Sequence, residues 1–265
     1  MKISTLLIES AKHWNDRDAK LFSAAFSYYA PLALIPLIVF SVTIVGLIYG
    51  PNFVKDFFSS WGMVLGSDLS NLINAAVLNL NNEAITFGIP IIGVLFFSGV
   101  LIVALNVLSS GFNRLWYIDV SGIRSFFAET LRSVMFVFIL QIYFIIIIGF
   151  EVFLIFANLK GSDFISTLFI FINTSLLFVL LYKFLTTKSP SHRGCMIGST
   201  IATTLFIMAK SLVSLYIVST GSLTLYGAAG LILVLLIWVY ILAALIYYGA
   251  SVAYMHDRIS SLNDL

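Results

Sequence analysis

Residues 21–49 read LFSAAFSYYAPLALIPLIVFSVTIVGLIY, and none of these 29 side chains is charged. As an α-helix the stretch would be about 43 Å long, against a hydrocarbon core of about 30 Å. It therefore predicts a membrane-spanning helix. Pro31 and Pro36 have no N–H, so the carbonyls of Ser27 and Leu32 lose their helical partners. At membrane depth these acceptors need other donors, so the prolines mark either a packing kink or part of a polar site.

The composition assigns the whole chain to the membrane. Hydrophobic residues make up 60% of the 265 residues and charged residues only 10%, with a mean hydropathy of +1.06. Soluble domains carry about 25% charged residues, so we expect one polytopic membrane domain over residues 1–265. The net charge of +2 gives no reason to expect a nucleic-acid partner. Cys195 is the one cysteine, which excludes an internal disulfide and a multi-cysteine metal site.

Five further apolar segments are long enough to cross a bilayer. The six predicted spans cover residues 21–49, 85–109, 131–157, 164–186, 194–219 and 227–255. Residues 2–20 place apolar side chains on one helical stripe and predict an amphipathic helix in the membrane interface. Its short apolar run contains Glu9 and Lys12, so it is not predicted to be a cleavable signal. Residues 52–84 are periodic but too polar to span, and they predict surface helices.

Lys and Arg are distributed unevenly between the two predicted sides of the membrane. Of the fourteen, eleven lie before span one, around the connections two–three and four–five, or after span six. Lys55 and Lys160 lie in the other connections, and Lys210 lies within span five. The positive-inside rule therefore predicts both termini in the cytoplasm and residues 52–84 outside. This orientation requires an even number of spans, which agrees with six.

The sequence offers little for catalysis. The three histidines, His13, His192 and His256, all lie at predicted cytoplasmic ends, and no HExxH, Walker or GxSxG motif is present. We therefore expect no enzymatic activity, no cofactor and no metal. Lys188, His192 and Arg193 form a basic cluster beside the membrane that is predicted to contact anionic lipid headgroups. Metal ligation by His192 is the alternative.

Two ionisable side chains lie inside predicted spans, Glu151 in span three and Lys210 in span five, at comparable depths. Because burying an unpaired charge in a membrane is costly, both are functional candidates and could form an ion pair. Alternatively, Glu151 reaches the outer interface and Lys210 extends along its aliphatic stem to water. Asn106 is a further polar candidate, which an interhelical hydrogen bond would also explain.

Span six carries tyrosines at seven-residue intervals, including Tyr240 and Tyr247, on one helical face. They indicate either aromatic packing with interfacial belts or the lining of a cavity. Under the second interpretation, spans one and six line a substrate path. The candidate path residues are Ser27, Tyr28, Pro31, Pro36, Asn106, Glu151, Lys210, Tyr240 and Tyr247.

Several short motifs carry a family resemblance through their order and spacing. They are Ala24-Ala25-x-x-Tyr28 with Pro36, Asn113-x-x-Trp116, Tyr182, Pro190, Arg193-Gly194 with Gly198, Tyr226-Gly227 with Gly230, Trp238-x-Tyr240 and Gly249-Ala250. Together they resemble the YihY/BrkB family of inner-membrane proteins, some of which were once labelled ribonuclease BN. The resemblance covers residues from about 10 to 255, and it implies six spans with both ends in the cytoplasm.

The resemblance implies a function linked to virulence and envelope lipid handling in the bacterial inner membrane. The expected function is a transporter or flippase-like handler of a lipid or amphipathic solute, with membrane lipids of anionic headgroup as partners. A non-transporting scaffold for envelope integrity is the first alternative. A ribonuclease is the second, for which Asp119, Glu129 and His192 are the available side chains on the cytoplasmic face. The oligomeric state, a homo-oligomer included, stays open.

The chain departs from the family pattern at one position that bears on coupling to protons or cations. Where the resemblance implies an acid after Gly249-Ala250, this chain has Ser251. Glu151 is then the acidic side chain that the sequence places deep in a span. A coupled mechanism that depends on the missing carboxylate is not expected here.

Overall fold

The computed structural model describes residues 3–32, 88–118, 122–156, 163–188, 190–220 and 222–263. These ranges contain helices and short connections, without a strand among them. The helices are α1 (Ile3–Asp16), α2 (19–32), α3 (Gly88–Leu115), α4 (Ile123–Phe156), α5 (Asp163–Leu185), α6 (His192–Thr220) and α7 (Ser222–Asn263). The predicted surface segment 52–84 and the second half of the first span lie outside the described residues.

Four of the described helices contain segments that are long and apolar enough to cross a membrane. These segments are Ser125–Ile147, Leu168–Leu185, His192–Leu212 and Val234–Ser261. A shorter apolar segment, Gly99–Leu115, lies in α3. The helices overlap the predicted spans, but α3 continues to Leu115 beyond the predicted end at 109, and α4 begins at Ile123 before the predicted start at 131. The residues that interrupt the apolar pattern at these two helix ends, such as Asn113 and Glu129, are therefore still helical. Their side chains bond to each other between α3 and α4.

The most extensive contact among the described helices joins α6 and α7. Small residues make it close: a Cβ at Gly198 would overlap the carbonyl oxygen of Gly249, and a Cβ at Gly249 would overlap the hydroxyl of Tyr182. At a nearby contact, a Cβ at Gly111 of α3 would lie 2.5 Å from the ring of Tyr247. Small residues permit such close backbone approach between membrane helices. These three helices, with α5, enclose the apolar core.

The core lies where α3, α5 and α7 meet. Phe112, Tyr182 and Tyr247 are fully buried. The ring of Phe112 contacts those of Tyr182 and Tyr247 edge to face, with centroids 5.7 and 5.5 Å apart. The Tyr182 hydroxyl donates to the Ile246 carbonyl at 3.0 Å, and the Tyr247 hydroxyl donates to the Val107 carbonyl at 3.2 Å. Each buried phenol therefore has the partner that its polar tip requires.

The predicted amphipathic N-terminal segment forms α1, and its apolar face packs on α7. Leu6 and Ser10 are buried at this contact. The Ser251 hydroxyl donates to the Ser10 carbonyl at 2.8 Å, and the Tyr248 hydroxyl donates to the Leu7 carbonyl at 3.1 Å. Ser251, which stands where the family resemblance implied an acid, is thus fully buried and holds α1 against α7.

One end of the helix bundle gathers the α1–α2 turn, the α3–α4 and α5–α6 connections and the end of α7. We call it the loop end. There the Asp257 carboxylate accepts the Ser191 N–H at 2.7 Å and also the Ser191 hydroxyl. The Ser191 hydroxyl in turn accepts the Gly194 N–H at 2.9 Å, the usual geometry of a helix N-cap. Asp257 therefore fixes the start of α6 to the end of α7.

Candidate functional site

Polar side chains line the contact between α3 and α4. Asn106, Ser109 and Asn113 recur on one face of α3, and Glu129, Thr130 and Ser133 lie on α4. These six residues are called the polar seam below. The Asn106 amide donates to the Thr130 hydroxyl at 3.3 Å, and the Ser109 hydroxyl donates to the Leu185 carbonyl of α5 at 2.8 Å. The seam therefore runs along α3 toward the loop end, where α5 closes one side of it.

At the loop end of the seam lies a buried carboxylate. Glu129 is 7% exposed and Asn113 is 1% exposed. The Asn113 side-chain N–H₂ donates to the Glu129 carboxylate, and its carbonyl oxygen accepts the Thr187 backbone N–H at 3.0 Å. This second bond fixes the amide so that its donor faces the carboxylate. In the described part of the chain no cation forms an ion pair with Glu129.

Thr187 also connects this carboxylate to an arginine. The Arg132 guanidinium donates to the Thr187 hydroxyl at 2.7 Å, while the Thr187 N–H is bound by Asn113. Arg132 is half-buried and lies three residues after Glu129 on α4. A buried acid and a half-buried base are thus arranged around one threonine.

Farther along α3 and α4, several buried oxygens have no partner. Within the described residues, the Asn106 side-chain oxygen, the Ser133 hydroxyl and the Gln141 side-chain oxygen accept or donate no hydrogen bond. Leaving such a group buried and unsatisfied costs about 1–3 kcal/mol. Water or a polar ligand usually supplies the missing partner. The seam therefore has unused hydrogen-bonding capacity at Asn106 and Ser133, and Gln141 adds to it farther along α4.

The opposite face of α4 is apolar and exposed. Its large exposed side chains are Phe127, Leu131, Met135, Phe138, Ile142, Ile145 and Ile146, while the exposed Phe126 lies near the start of α4 on the side of Glu129 and Ser133. This helix therefore presents one face suited to lipid and another that carries the polar seam. The α4 helix therefore lies at the periphery of the described bundle, with polar side chains between it and α3.

The sequence-predicted path residues of the first span occupy different environments. Ser27 is buried and its hydroxyl donates to the Ala24 carbonyl of the same helix at 2.8 Å. Tyr28 is exposed, and its ring lies edge-on to that of Tyr29 at 5.2 Å. Pro31 is buried near the last described residue of α2. Pro36 lies outside the described residues.

The remaining path candidates are not gathered at one place within the described residues. Lys210 is exposed on α6, Tyr240 is half-buried on α7, and Tyr247 is fully buried in the core. Glu151 belongs to α4, but its side chain lies outside the described part, so its pairing with Lys210 stays a prediction. Asn106 is the path candidate that lies in the polar seam.

The basic residues predicted to contact headgroups lie at the loop end. Lys188, His192 and Arg193 are all exposed, around the start of α6. The described residues contain no cluster of three His, Cys, Asp or Glu side chains able to hold a metal ion. The exposed basic side chains therefore surround the same end of the bundle at which Glu129 and Arg132 lie.

A stack of aromatic and cationic side chains also lies at the loop end. The His13 ring stacks on Tyr254 at 4.7 Å and on Tyr117 at 5.7 Å. Arg17 also lies over the Tyr117 ring, with its Cζ 3.1 Å from the ring centroid. His13 Nε2 donates to the Leu115 carbonyl at 3.0 Å, at the end of α3. Burial lowers the pKa of His13.

The sequence did not predict two features of the loop end, the Asn113–Glu129 pair and the packing of His13. Asn113 was noted only in the motif Asn113-x-x-Trp116, and Glu129 only as a candidate nuclease residue. The spacing of Asn106, Ser109 and Asn113 on a helical face was a usable signal for the seam. For His13, its position seven residues after Leu6 places it on the buried face of α1, which would have indicated packing.

Comparison with known protein families gives one match. A family model named Virul_fac_BrkB and described as virulence factor BrkB matches residues 10–264, which is nearly the whole chain. Neither a curated protein nor a solved structure matches it. The matched range includes α2 to α7 and the second half of α1, and therefore every residue of the polar seam.

Proposed function

Because this chain belongs to the BrkB virulence-factor family, we propose that it is a transporter or flippase-like handler of a lipid or amphipathic solute. In this proposal it crosses the bacterial inner membrane six times, with both termini in the cytoplasm. It has no nucleotide site of its own, and its partners are membrane lipids. The loop end then faces the cytoplasm, where Lys188, His192 and Arg193 attract anionic headgroups.

The observation that carries the proposal is the polar seam behind a peripheral apolar helix. Moving a lipid across a bilayer requires a polar route for its headgroup, because a bare headgroup in hydrocarbon is strongly unfavourable. Its acyl chains need no such route. The exposed apolar face of α4 can remain in lipid while its inner face supplies hydrogen bonds to a headgroup.

The unpartnered oxygens of Asn106, Ser133 and Gln141 support this use. A seam that served packing alone would gain from pairing these groups with one another or from replacing them by apolar side chains. Instead, they retain capacity for a passing polar group. Asn106, predicted from the sequence as a path residue, belongs to this route in the proposal.

The test is lipid movement by purified protein in vesicles that contain fluorescent phospholipids. We expect Asn106→Leu and Ser133→Val to lower the rate at least about tenfold, equal to about 1.4 kcal/mol of lost stabilisation. Ser211→Val is the matched control, because the Ser211 hydroxyl is exposed and bonds to the Ile207 carbonyl of its own helix at 3.2 Å. It should keep the wild-type rate. A wild-type rate equal to that of protein-free vesicles would contradict the proposal.

A scaffold without transport is the second candidate, and the tightly packed core favours it. Phe112, Tyr182 and Tyr247 fill the region between α3, α5 and α7 and have no exposed surface to offer a solute. The same vesicle experiment separates the two candidates. A scaffold would move no lipid, and substitutions in the seam that preserve folding would not change the measured rate.

A further inference from the structure

We propose that Glu129 and Arg132 form one headgroup site for a phospholipid that carries both a primary ammonium and a phosphate. This inference rests on the proposed lipid handling and names its substrate class. The carboxylate binds the ammonium and the guanidinium binds the phosphate. An ethanolamine-type headgroup has both groups, joined by a two-carbon linker.

The first argument is the position of the two charges. Both are tied to Thr187, Arg132 by a bond to the hydroxyl at 2.7 Å and Glu129 through Asn113, which accepts the Thr187 N–H at 3.0 Å. Yet the described residues show no ion pair between Glu129 and Arg132. The two charges are close but do not neutralise each other, so each can bind one end of a zwitterion.

The second argument is the cost of the buried carboxylate. Asn113, a neutral amide, donates to Glu129, and among the described side chains no cation pairs with this carboxylate. A buried carboxylate without such a partner pays a desolvation penalty. A ligand ammonium would supply the missing positive charge. A primary ammonium can also donate hydrogen bonds to the carboxylate oxygens, whereas a quaternary ammonium cannot.

The third argument concerns the guanidinium. Arginine presents a planar set of donors that matches phosphate oxygens, and its bond to Thr187 holds it in place without using all five N–H groups. Arg132 is half-buried at the loop end, and its partner Thr187 precedes the exposed Lys188 in the chain. A phosphate there would lie at the edge of the bundle, with the ammonium directed inward to Glu129.

The spacing fits the linker. Residues three apart on a helix have Cβ atoms about 5–6 Å apart, so the two side chains leave one face of α4 together. A two-carbon linker between ammonium and phosphate spans a comparable distance. A glycerol headgroup offers a phosphate for Arg132 but no cation for Glu129.

The experiment measures binding rather than transport. Full-length protein in detergent is mixed with equal amounts of phosphatidylethanolamine and phosphatidylglycerol, and bound lipid is counted by native mass spectrometry. We expect a wild-type preference for phosphatidylethanolamine that falls at least about tenfold in Glu129→Gln. Arg132→Gln should weaken the binding of both lipids. Glu9→Gln and Arg114→Gln, whose side chains are exposed and lie outside the seam, are the matched controls and should behave as wild type.

The Glu129 variants are chosen so that misfolding does not account for a loss of lipid binding. Gln at position 129 keeps the shape of the side chain and an oxygen for Asn113, and Glu129→Asp is a second variant that retains the charge and should retain part of the preference. An unchanged preference in Glu129→Gln, or a wild type without preference, would overturn the inference. Equal binding of soluble glycerophosphoethanolamine would overturn its assignment to lipid. A wild type that moves no lipid in vesicles would overturn the proposed function and leave this binding test valid.

Discussion

His13 connects three elements of the loop end through a single ring. It lies on α1, donates to the last residue of α3 and stacks on Tyr254 of α7. A carbonyl can only accept, so the bond to Leu115 places a proton on Nε2 and leaves Nδ1 free of one in the neutral ring. The α1 helix is therefore held by an uncharged imidazole that packs beside the rings of Tyr117 and Tyr254, which also contact each other.

The pKa of His13 leads to a prediction about pH. Burial lowers it from its ordinary value of 6.5, and the nearby Arg17 and Arg258 lower it further, while the Leu115 hydrogen bond and Asp16 act in the other direction. Below about pH 6.5 the undocked chain therefore binds more protons than the docked one, and docking weakens as pH falls. Above about pH 6.5 the docking of α1 should not depend on the protonation of His13.

Hydrogen exchange of residues 3–16 measures this directly. After correction for the intrinsic pH dependence of exchange, we expect the protection of α1 to be at least about threefold lower at pH 5.5 than at pH 7.5. His13→Gln should remove the difference, and the exposed His192→Gln should keep it. Equal protection of the wild type at both pH values would refute this view of His13.

At the scale of elements, the α6–α7 pair depends on the absence of a side chain at Gly198. A Cβ there would overlap the Gly249 carbonyl and lie 3.0 Å from the Ala253 Cβ. Neither neighbour is the flexible end of a side chain, so the two helices would have to separate. Overpacking of this kind costs about 1–3 kcal/mol.

We therefore expect Gly198→Ala to lower the Tm of the purified protein by several degrees. Gly99→Ala is the matched control, because a Cβ at this position of α3 meets nothing within 4 Å. It should leave the Tm unchanged or raise it, since alanine is favoured over glycine in helices by about 1 kcal/mol. If both variants behave alike, the close approach of α6 and α7 does not limit stability.

The helices themselves were predictable from the sequence, because apolar length is a local property. The segments Leu168–Leu185 and His192–Leu212 lie almost wholly within predicted spans. The contacts between helices were not predictable in the same way. The pairing of Asn113 with Glu129 depends on the register of α3 against α4, which the local pattern of neither helix specifies. Contacts with other helices also position α3, including the fit of Gly111 to Tyr247 of α7.

On the scale of the whole molecule, the loop end is both the end predicted to carry most of the positive charge and the end at which the connections between helices meet. The predicted cytoplasmic side carries most Lys and Arg. The described structure brings its connections together through Asp257, His13 and Thr187. This end, whose elements are bonded to one another, contrasts with α4, which contacts the rest of the bundle with one face and exposes the other. The proposed function uses that contrast: a fixed bundle and a peripheral helix with a polar seam between them.

The most direct test of this account closes the seam reversibly. Asn106 and Thr130 face each other across it with side chains bonded at 3.3 Å, so cysteines at both positions are tested for a disulfide between α3 and α4, whose formation is verified by mass spectrometry. The buried Cys195 is replaced by alanine in this protein to avoid other pairings. Lipid movement is then measured in one vesicle sample before oxidation, after oxidation and after reduction.

The reduced double-cysteine protein lacks the Asn106 amide, so we expect it to move lipid more slowly than the wild type but faster than protein-free vesicles. We predict that oxidation stops this remaining movement and that reduction restores it, because the headgroup route lies between the two helices. Each sample is its own control, since both states have the same sequence and the same vesicles. If the oxidised protein moves lipid as fast as the reduced protein, the polar seam is not the route.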